Sequence, residues 1–282
     1  MIDLHTHTIH SDGTISVKEM LTKANELKLK ILSITDHNSV DAYYDKEFNN
    51  DIFKGQIIKG TEITTTYNGE IVEVLGYKLN TDIMKKLYKE KLIPFDIMQK
   101  KEYDLIIKKY NQNNIKFNKE NIKYDPTKES CRYSLWEELM KYEENKLLLT
   151  SSESATNYKT FVRMEIFNPL SKLFVDLSSL FPSLDEAIEM IHKSGGLAFF
   201  AHTFEYSDTI IKSLNNIIKE YKLDGLECFH PSANDENSVL LTEICKKNNL
   251  YRSGGSDYHG YRNLEYFGKM LDENIVNNWI NK

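Results

Sequence analysis

Six short apolar runs of this chain each end in a histidine or a carboxylate. His5 and His7 close the first, Asp36 and His37 follow Ile31 to Thr35, and Glu62 follows Ile57 to Gly60. His202 follows Leu197 to Ala201, His230 follows Glu227 to Phe229, and Asp257 with His259 follows the Gly254-Gly255 turn. In a β/α barrel such positions share one rim, the C-terminal face where sites are built. One strand end with a histidine means little; six converge.

The spacing of apolar residues supports that architecture. Met1 to His5, Ile31 to Thr35, Gln56 to Gly60, Ile71 to Tyr77, Leu197 to Ala201, Leu226 to Phe229 and Tyr251 to Gly255 read as strands. Tyr67-Asn68-Gly69 marks a turn. Ser16 with Glu19 forms a capping box before a helix carrying Met20, Leu21, Ala24 and Leu27 on one face. Ser183 with Glu186 opens another helix, ended by Gly195-Gly196, and a further one spans roughly Glu236 to Asn248. Repeated strand-then-helix units imply an α/β fold with a parallel sheet, and their number suits a closed or nearly closed barrel.

The character changes between Lys78 and Lys128, where lysine dominates, glycine is absent and apolar residues recur at helical spacing. Residues 78–175 are accordingly expected to form an inserted, mostly helical subdomain and possible substrate cap, with 1–77 and 176–282 building the barrel. Residues 78–128 hold 13 Lys against 7 Asp and Glu, within a chain of net charge −6. That surplus either steers an anionic substrate or is a solvated helical face.

Cys131, Cys228 and Cys245 are far apart and form no CxxC pair, which argues against a disulfide framework and for a reducing cytoplasm. No basic run followed by an apolar stretch opens the chain, and no apolar segment approaches a membrane span of about 18 residues, so neither secretion nor a membrane partner is expected. No nucleic-acid-binding motif appears either, so long nucleic acid is not expected as an obligatory partner.

His5 and His7 are two apart, so on a strand both imidazoles point to one side and can bind one ion. Imidazoles and carboxylates without cysteine suit Zn²⁺, Mn²⁺ or Fe, and they outnumber the four ligands of one tetrahedral ion. Two or three divalent ions are implied. Ions about 3.5–4 Å apart would neutralise the carboxylates and clamp a phosphoryl group, lowering the pKa of a bridging water from about 15.7 to near 7. A small phosphorylated substrate and hydrolysis by that water follow.

The strings Asp3-Leu4-His5-Thr6-His7, Ser11-Asp12-Gly13, Thr35-Asp36-His37, Gly60-Thr61-Glu62, Leu75-Gly76-Tyr77, Gly196 to His202, Gly225 to Pro231 and Gly254 to Gly260 together resemble the PHP (polymerase and histidinol phosphatase) family. The match covers both ends of the chain and leaves out residues 78–175 apart from Arg132. The resemblance implies a distorted seven-stranded (β/α)7 TIM-like barrel with a trinuclear metal site. It implies that His5, His7, Glu62 and Asp257 bind one ion, that Glu62 bridges to a second ion also held by His202, and that Asp12, His37 and His259 bind a third. The similarity is to the small-phosphoesterase branch acting on nucleoside bisphosphates or short oligonucleotides. Where that branch commonly has histidine just before Leu-Gly-Tyr, this chain has Glu73, which as a ligand would favour Mn²⁺ or Fe²⁺.

Arg132, in Cys131-Arg132-Tyr133-Ser134-Leu135, resembles the arginine by which the insertion of related enzymes grips substrate phosphate; the plainer reading is an exposed helix-terminal arginine. His230 is assigned either phosphate contact with proton donation or packing at the barrel mouth. His192, inside a helix, is expected at the surface or in packing, and His10 outside the ligand set. Three rival functions stand beside the phosphoesterase: histidinol-phosphate hydrolysis, an amidohydrolase barrel, and a non-catalytic metal-binding domain. An amidohydrolase would not need Asp12, Asp36-His37 and the late His259.

Overall fold

The structure is a computed structural model describing residues 1–49, 51–127 and 129–280; Lys128, the last lysine of the basic stretch, lies outside them. The chain divides into two compact units. The first comprises Met1–Thr65, Val72–Lys91 and Leu184–Lys282, and the second Thr66–Ile71 and Leu92–Ser183.

In the first unit, strands β1 (Ile2–Asp3), β2 (Ile31–Leu32) and β3 (Gln56–Ile57) form a parallel sheet in that order. A second sheet runs β4 (Gly60–Tyr67), β5 (Glu70–Tyr77), β6 (Leu197–Phe200), β7 (Gly225–Phe229) and β8 (Tyr251–Gly254). β5 pairs antiparallel with β6, and β6, β7 and β8 are mutually parallel. Single parallel bridges, Thr6↔Tyr258 and His37↔Glu62, join one sheet to the other just beyond the ends of β8, β1 and β2. The fold is therefore α/β, with eight strands in two bridged sheets among the described residues.

β4 was not expected as a strand. Its sequence Gly-Thr-Glu-Ile-Thr-Thr-Thr-Tyr lacks an apolar run, yet Thr61, Glu62, Ile63 and Thr65 are all buried. The turn into β5 has positive φ at both Asn68 and Gly69 (52° and 83°), the geometry of a type I′ hairpin. The other strands lie where expected; β1, β2, β3, β6 and β8 are shorter, and β5 and β7 each begin one residue earlier.

Helix Val17–Glu26 begins with the expected capping box: Glu19 N donates to Ser16 Oγ and Ser16 N donates to Glu19 Oε2. It buries Val17, Met20, Leu21 and Ala24, whereas Leu27 falls at the C-cap and is exposed. Helix Glu273–Ile280 closes a core of Ile2, Leu4, Tyr77 and Phe199 around Trp279, whose Nε1 donates to Arg252 O at 3.0 Å. A buried indole of this kind contributes on the order of 4 kcal/mol of transfer free energy.

Helix Thr81–Lys91, placed by sequence in the insertion, belongs to the first unit. It buries Met84 and Tyr88, and the Tyr88 hydroxyl is hydrogen-bonded to Thr61 Oγ1 at 2.7 Å. Residues 176–183, placed in the barrel, fall in the second unit.

The second unit is mostly helical and has its own core of Ile106, Tyr110, Leu135, Leu139, Phe161 and Leu173. Helices Phe95–Gln112 and Cys131–Leu139 supply much of it. No described helix is long and apolar enough to cross a membrane. The three cysteines are free and buried.

Candidate metal centre

Side chains from separate strand ends meet around Glu62. Its Oε2 lies 3.2 Å from His5 Nε2, 3.3 Å from His7 Nε2 and 3.2 Å from His37 Nδ1, and its Oε1 lies 2.9 Å from His202 Nε2. Asp257 Oδ1 faces the same two first-strand imidazoles, at 3.4 Å from His5 and 3.2 Å from His7. Glu73, at the position of the missing histidine, reaches His37 Nδ1 and His202 Nε2, each at 3.3 Å. Asp12 Oδ1 lies 3.0 Å from His259 Nε2 and 3.8 Å from both His7 Nδ1 and His37 Nε2. Glu62 and the imidazoles of His5, His7 and His259 are fully buried, while Asp12 is exposed, so the cluster opens to solvent there.

The backbone is shaped for this convergence. Gly255 lets the end of β8 lie on β1: a Cβ there would come within 2.4 Å of both His5 N and His5 Cβ. Asp257 N donates to His5 O and His7 N donates to Tyr258 O, locking the register. His202 and Asp257 both have positive φ, 21° and 52°, a strained conformation for residues with a side chain, of the kind that concentrates at functional sites.

Other carboxylates hold the cluster from outside. Glu227 Oε1 binds His5 Nδ1 at 2.9 Å and its Oε2 accepts His202 N at 2.8 Å, so His5 presents Nε2 to the cluster. Asp36 accepts Thr8 N, Thr8 Oγ1 and Ser11 Oγ, tying down the loop that carries Asp12. Asp36 is thus a brace, and its neighbour His37 is the group that enters the cluster.

The charges explain each other. Burial disfavours the protonated imidazoles, but the carboxylates outweigh it: His7, beside Asp257 and Glu62, is pushed up to about 10. His202, beside Glu62 and Glu73, is likewise pushed up to about 10, and Glu62 and Glu227 hold His5 well above its usual range. Burial opposes the charge on Glu62 too, yet the imidazoles of His5, His37 and His202 hold it well below the usual carboxylate range. His259 goes the other way, to about 4, through burial and the charge on His7. The imidazoles supply the positive charge that the carboxylates require.

Among the described residues, four groups of three or more donor atoms are close enough to hold an ion: His7, Asp12, His37 and His259; His5, Glu62 and His202; His37, Glu62 and Glu73; and His5, His230 and Asp257. All nine residues expected as ligands are in these groups. Buried nitrogens His7 Nε2, His37 Nδ1 and His230 Nε2 have no hydrogen-bond partner although carboxylate oxygens stand 3.2–3.9 Å away. Imidazole nitrogens and carboxylate oxygens facing one another across such gaps, without hydrogen bonds between them, fit shared divalent cations that would displace the imidazole protons.

Two contributors, Glu227 and Arg262, were not foreseen. His230, expected at the site, enters a donor group, with Ser232 N donating to its Nδ1 at 3.1 Å. Glu227 sits inside an apolar run read only as strand; a carboxylate there was itself the signal. Arg262 contacts His259 Nε2 and lies 3.6 Å from Asp257 Oδ2. His10 pairs with Asp45 Oδ2 at 2.6 Å and His192 with Asp224 Oδ2 at 2.7 Å, both outside the donor groups.

Arg132 belongs to the second unit and is not the exposed helix-terminal residue of the plainer reading. Its Nε donates to the buried Glu102 at 2.5 Å and its guanidinium stacks 4.9 Å from the Phe167 ring centroid.

A 5′-3′ exoribonuclease of Haemophilus influenzae is 25% identical over 98% of this chain and 97% of its own length. A phosphoribosyl 1,2-cyclic phosphate 1,2-diphosphodiesterase of Eggerthella lenta is 21% identical over 92% of this chain and 94% of its own. Among solved structures, an amidohydrolase from Chromobacterium violaceum with bound sulfate superposes with a TM-score of 0.68 at 19% identity, covering 96% of this chain and 91% of that one, which is a likeness of fold. The sequence model of the PHP domain matches residues 3–227, a span that includes His5, His7, Asp12, His37, Glu62, Glu73 and His202, and the chain therefore belongs to the PHP domain family.

Proposed function

We propose that the protein hydrolyses a small phosphomonoester or a terminal phosphodiester, with a nucleoside bisphosphate or the end of a short RNA as substrate. Membership of the PHP family makes it a metal-dependent phosphoesterase. One observation carries the mechanism: a single buried carboxylate, Glu62, within 3.3 Å of the imidazoles of His5, His7, His37 and His202.

We assign His5, His7, Asp12, His37, Glu62, Glu73, His202, Asp257 and His259 as ligands of two or three ions, Mn²⁺, Zn²⁺ or Fe²⁺, with His230 beside them. When bound, such ions supply a Lewis acid for the phosphoryl oxygens and make a water nucleophilic near neutral pH. The rest is done by the chain itself. Glu227 fixes the orientation of His5, Asp36 holds the Asp12 loop, and the burial of His5, His7, Glu62 and His259 keeps bulk water from that part of the cluster. We assign to His230 proton donation to the leaving oxygen, supported by its place beside Asp257, and retain Arg132 as a substrate-phosphate contact of the insertion. The two bridged sheets are read as a distorted barrel closed by Thr6↔Tyr258 and His37↔Glu62, with eight strands described where seven were expected.

The nucleotide end of the substrate range is supported by the exoribonuclease relative, which aligns over nearly its whole length. Confinement to ends and small esters keeps to the absence of a nucleic-acid-binding motif. Three unpaired cysteines support a cytoplasmic location. The test is release of phosphate and nucleotide from short RNA with and without a 5′-phosphate, from nucleoside bisphosphates and from histidinol phosphate, with chelator and Mn²⁺ add-back. Turnover that survives exhaustive chelation, or that favours histidinol phosphate, overturns the proposal.

A further inference from the structure

The cluster contains a guanidinium, a cation with only donors to offer and no lone pair for a metal. Arg262 Nη2 contacts His259 Nε2 and lies 3.6 Å from Asp257 Oδ2 and 3.9 Å from Asp12 Oδ2. A guanidinium beside ion ligands weakens the binding of divalent cations by direct repulsion. That cost is offset only when an anion comes in with the ions.

Two further observations point to an anion as its partner. Arg262 Nε is buried and has no hydrogen-bond partner, so a strong donor stands unsatisfied. The side chain is nevertheless 22% exposed, and it lies against Asp12, where the cluster meets solvent. The loop is held in place: Asn263 Nδ2 donates to Asp257 O at 3.1 Å, and Gly260 and Asn263 take the left-handed backbone needed for the tight return.

We infer that Arg262 binds the phosphate of the substrate, using its fork of donors on the non-bridging oxygens once Asp12 and Asp257 are committed to ions. The inference rests on the phosphoesterase reading above. It names the substrate feature recognised at this edge as a phosphate dianion, whatever carries it.

The test uses the full chain loaded with Mn²⁺ and inorganic phosphate as probe. Calorimetric affinity for phosphate, KM and kcat for an aryl phosphate, and bound metal are measured for wild type, Arg262→Lys and Arg262→Gln. Arg262→Gln should keep the wild-type metal content while phosphate affinity and KM worsen by about 10- to 100-fold, the loss of one charge-assisted contact, with Arg262→Lys between. Unchanged phosphate affinity in a folded Arg262→Gln overturns the inference and leaves the phosphoesterase reading standing. Loss of bound metal in Arg262→Gln also overturns it, by showing a structural role. Wild-type protein that neither binds phosphate nor cleaves any ester with Mn²⁺ present removes the phosphoesterase reading and this inference with it.

Discussion

Loading the protein with divalent ions should release about three protons per chain near pH 7.5. In the ion-free cluster His5, His7 and His202 are held protonated by Glu62, Asp257, Glu73 and Glu227, with His7 and His202 at about 10. An imidazole must be neutral to ligate, so each gives up its proton when an ion takes over the carboxylates. His259 at about 4, and His230, lowered by burial, are already neutral and add none. Calorimetric titration with Mn²⁺ in buffers of different ionisation enthalpy measures the number directly, and overall affinity should strengthen as pH rises. The same shifts set the pH dependence of the chelated protein. A raised imidazole pKa stabilises the fold fully below about 6.5 and loses that contribution as pH climbs through about 10. The upper limit is on the order of 5 kcal/mol for each imidazole, and the shared Glu62 keeps the two from adding. Chelated protein should therefore melt progressively lower from pH 7 to 10, while the loaded protein should not. Release of fewer than about one proton, or a flat melting profile without ions, would refute the charge assignment.

Glu62→Gln keeps the size of the side chain but removes the charge that four imidazoles share, and should lower bound metal by at least one ion per chain; elemental analysis showing wild-type content would exclude Glu62 as a bridge. Gly255→Ala places a methyl 2.4 Å from His5 backbone and should cost roughly 1–3 kcal/mol by thermal unfolding, with weakened metal binding because His5 shifts. Ser16→Ala, which removes a remote capping box, should cost about 1 kcal/mol and leave metal content unaltered. An equal effect of the last two on metal affinity would sever the proposed link between Gly255 and the site.

The cluster was legible because several of its members follow apolar runs near strand ends, although Glu62 lies inside β4 and Glu73 inside β5. His5, His37, Glu62, His202 and Asp257 could be placed together by that rule alone, before any distance was known. The shortness of β1, β2 and β3 was not legible, because their continuations bond through single bridges and side chains instead of a ladder. β4 was missed since most of its buried residues are threonine and glutamate, invisible to hydropathy although rich in β-branched residues. Leu27 fits the helical period of Met20 and Ala24 yet is exposed, because the helix ends before it. Arg262 gave no signal at all: it lies in a loop, and only the return of that loop on the cluster gives it partners.

Charge connects two residues of this site, Glu73 and Arg262. Five carboxylates touch the imidazoles of the site: Asp12, Glu62, Glu73, Glu227 and Asp257. Two divalent ions leave that assembly with one negative charge, a poor environment for a phosphate dianion. Arg262 brings it to neutrality, and a third ion beside Asp12 makes it positive. A histidine at position 73 would remove one carboxylate, and two ions alone would then suffice for neutrality. As a ligand, Glu73 would therefore raise affinity for the first ions while making phosphate binding depend on what occupies the Asp12 edge. The guanidinium stands beside Asp12 and Asp257, and in the proposed role it would let the chain accept a phosphate before a third ion arrives.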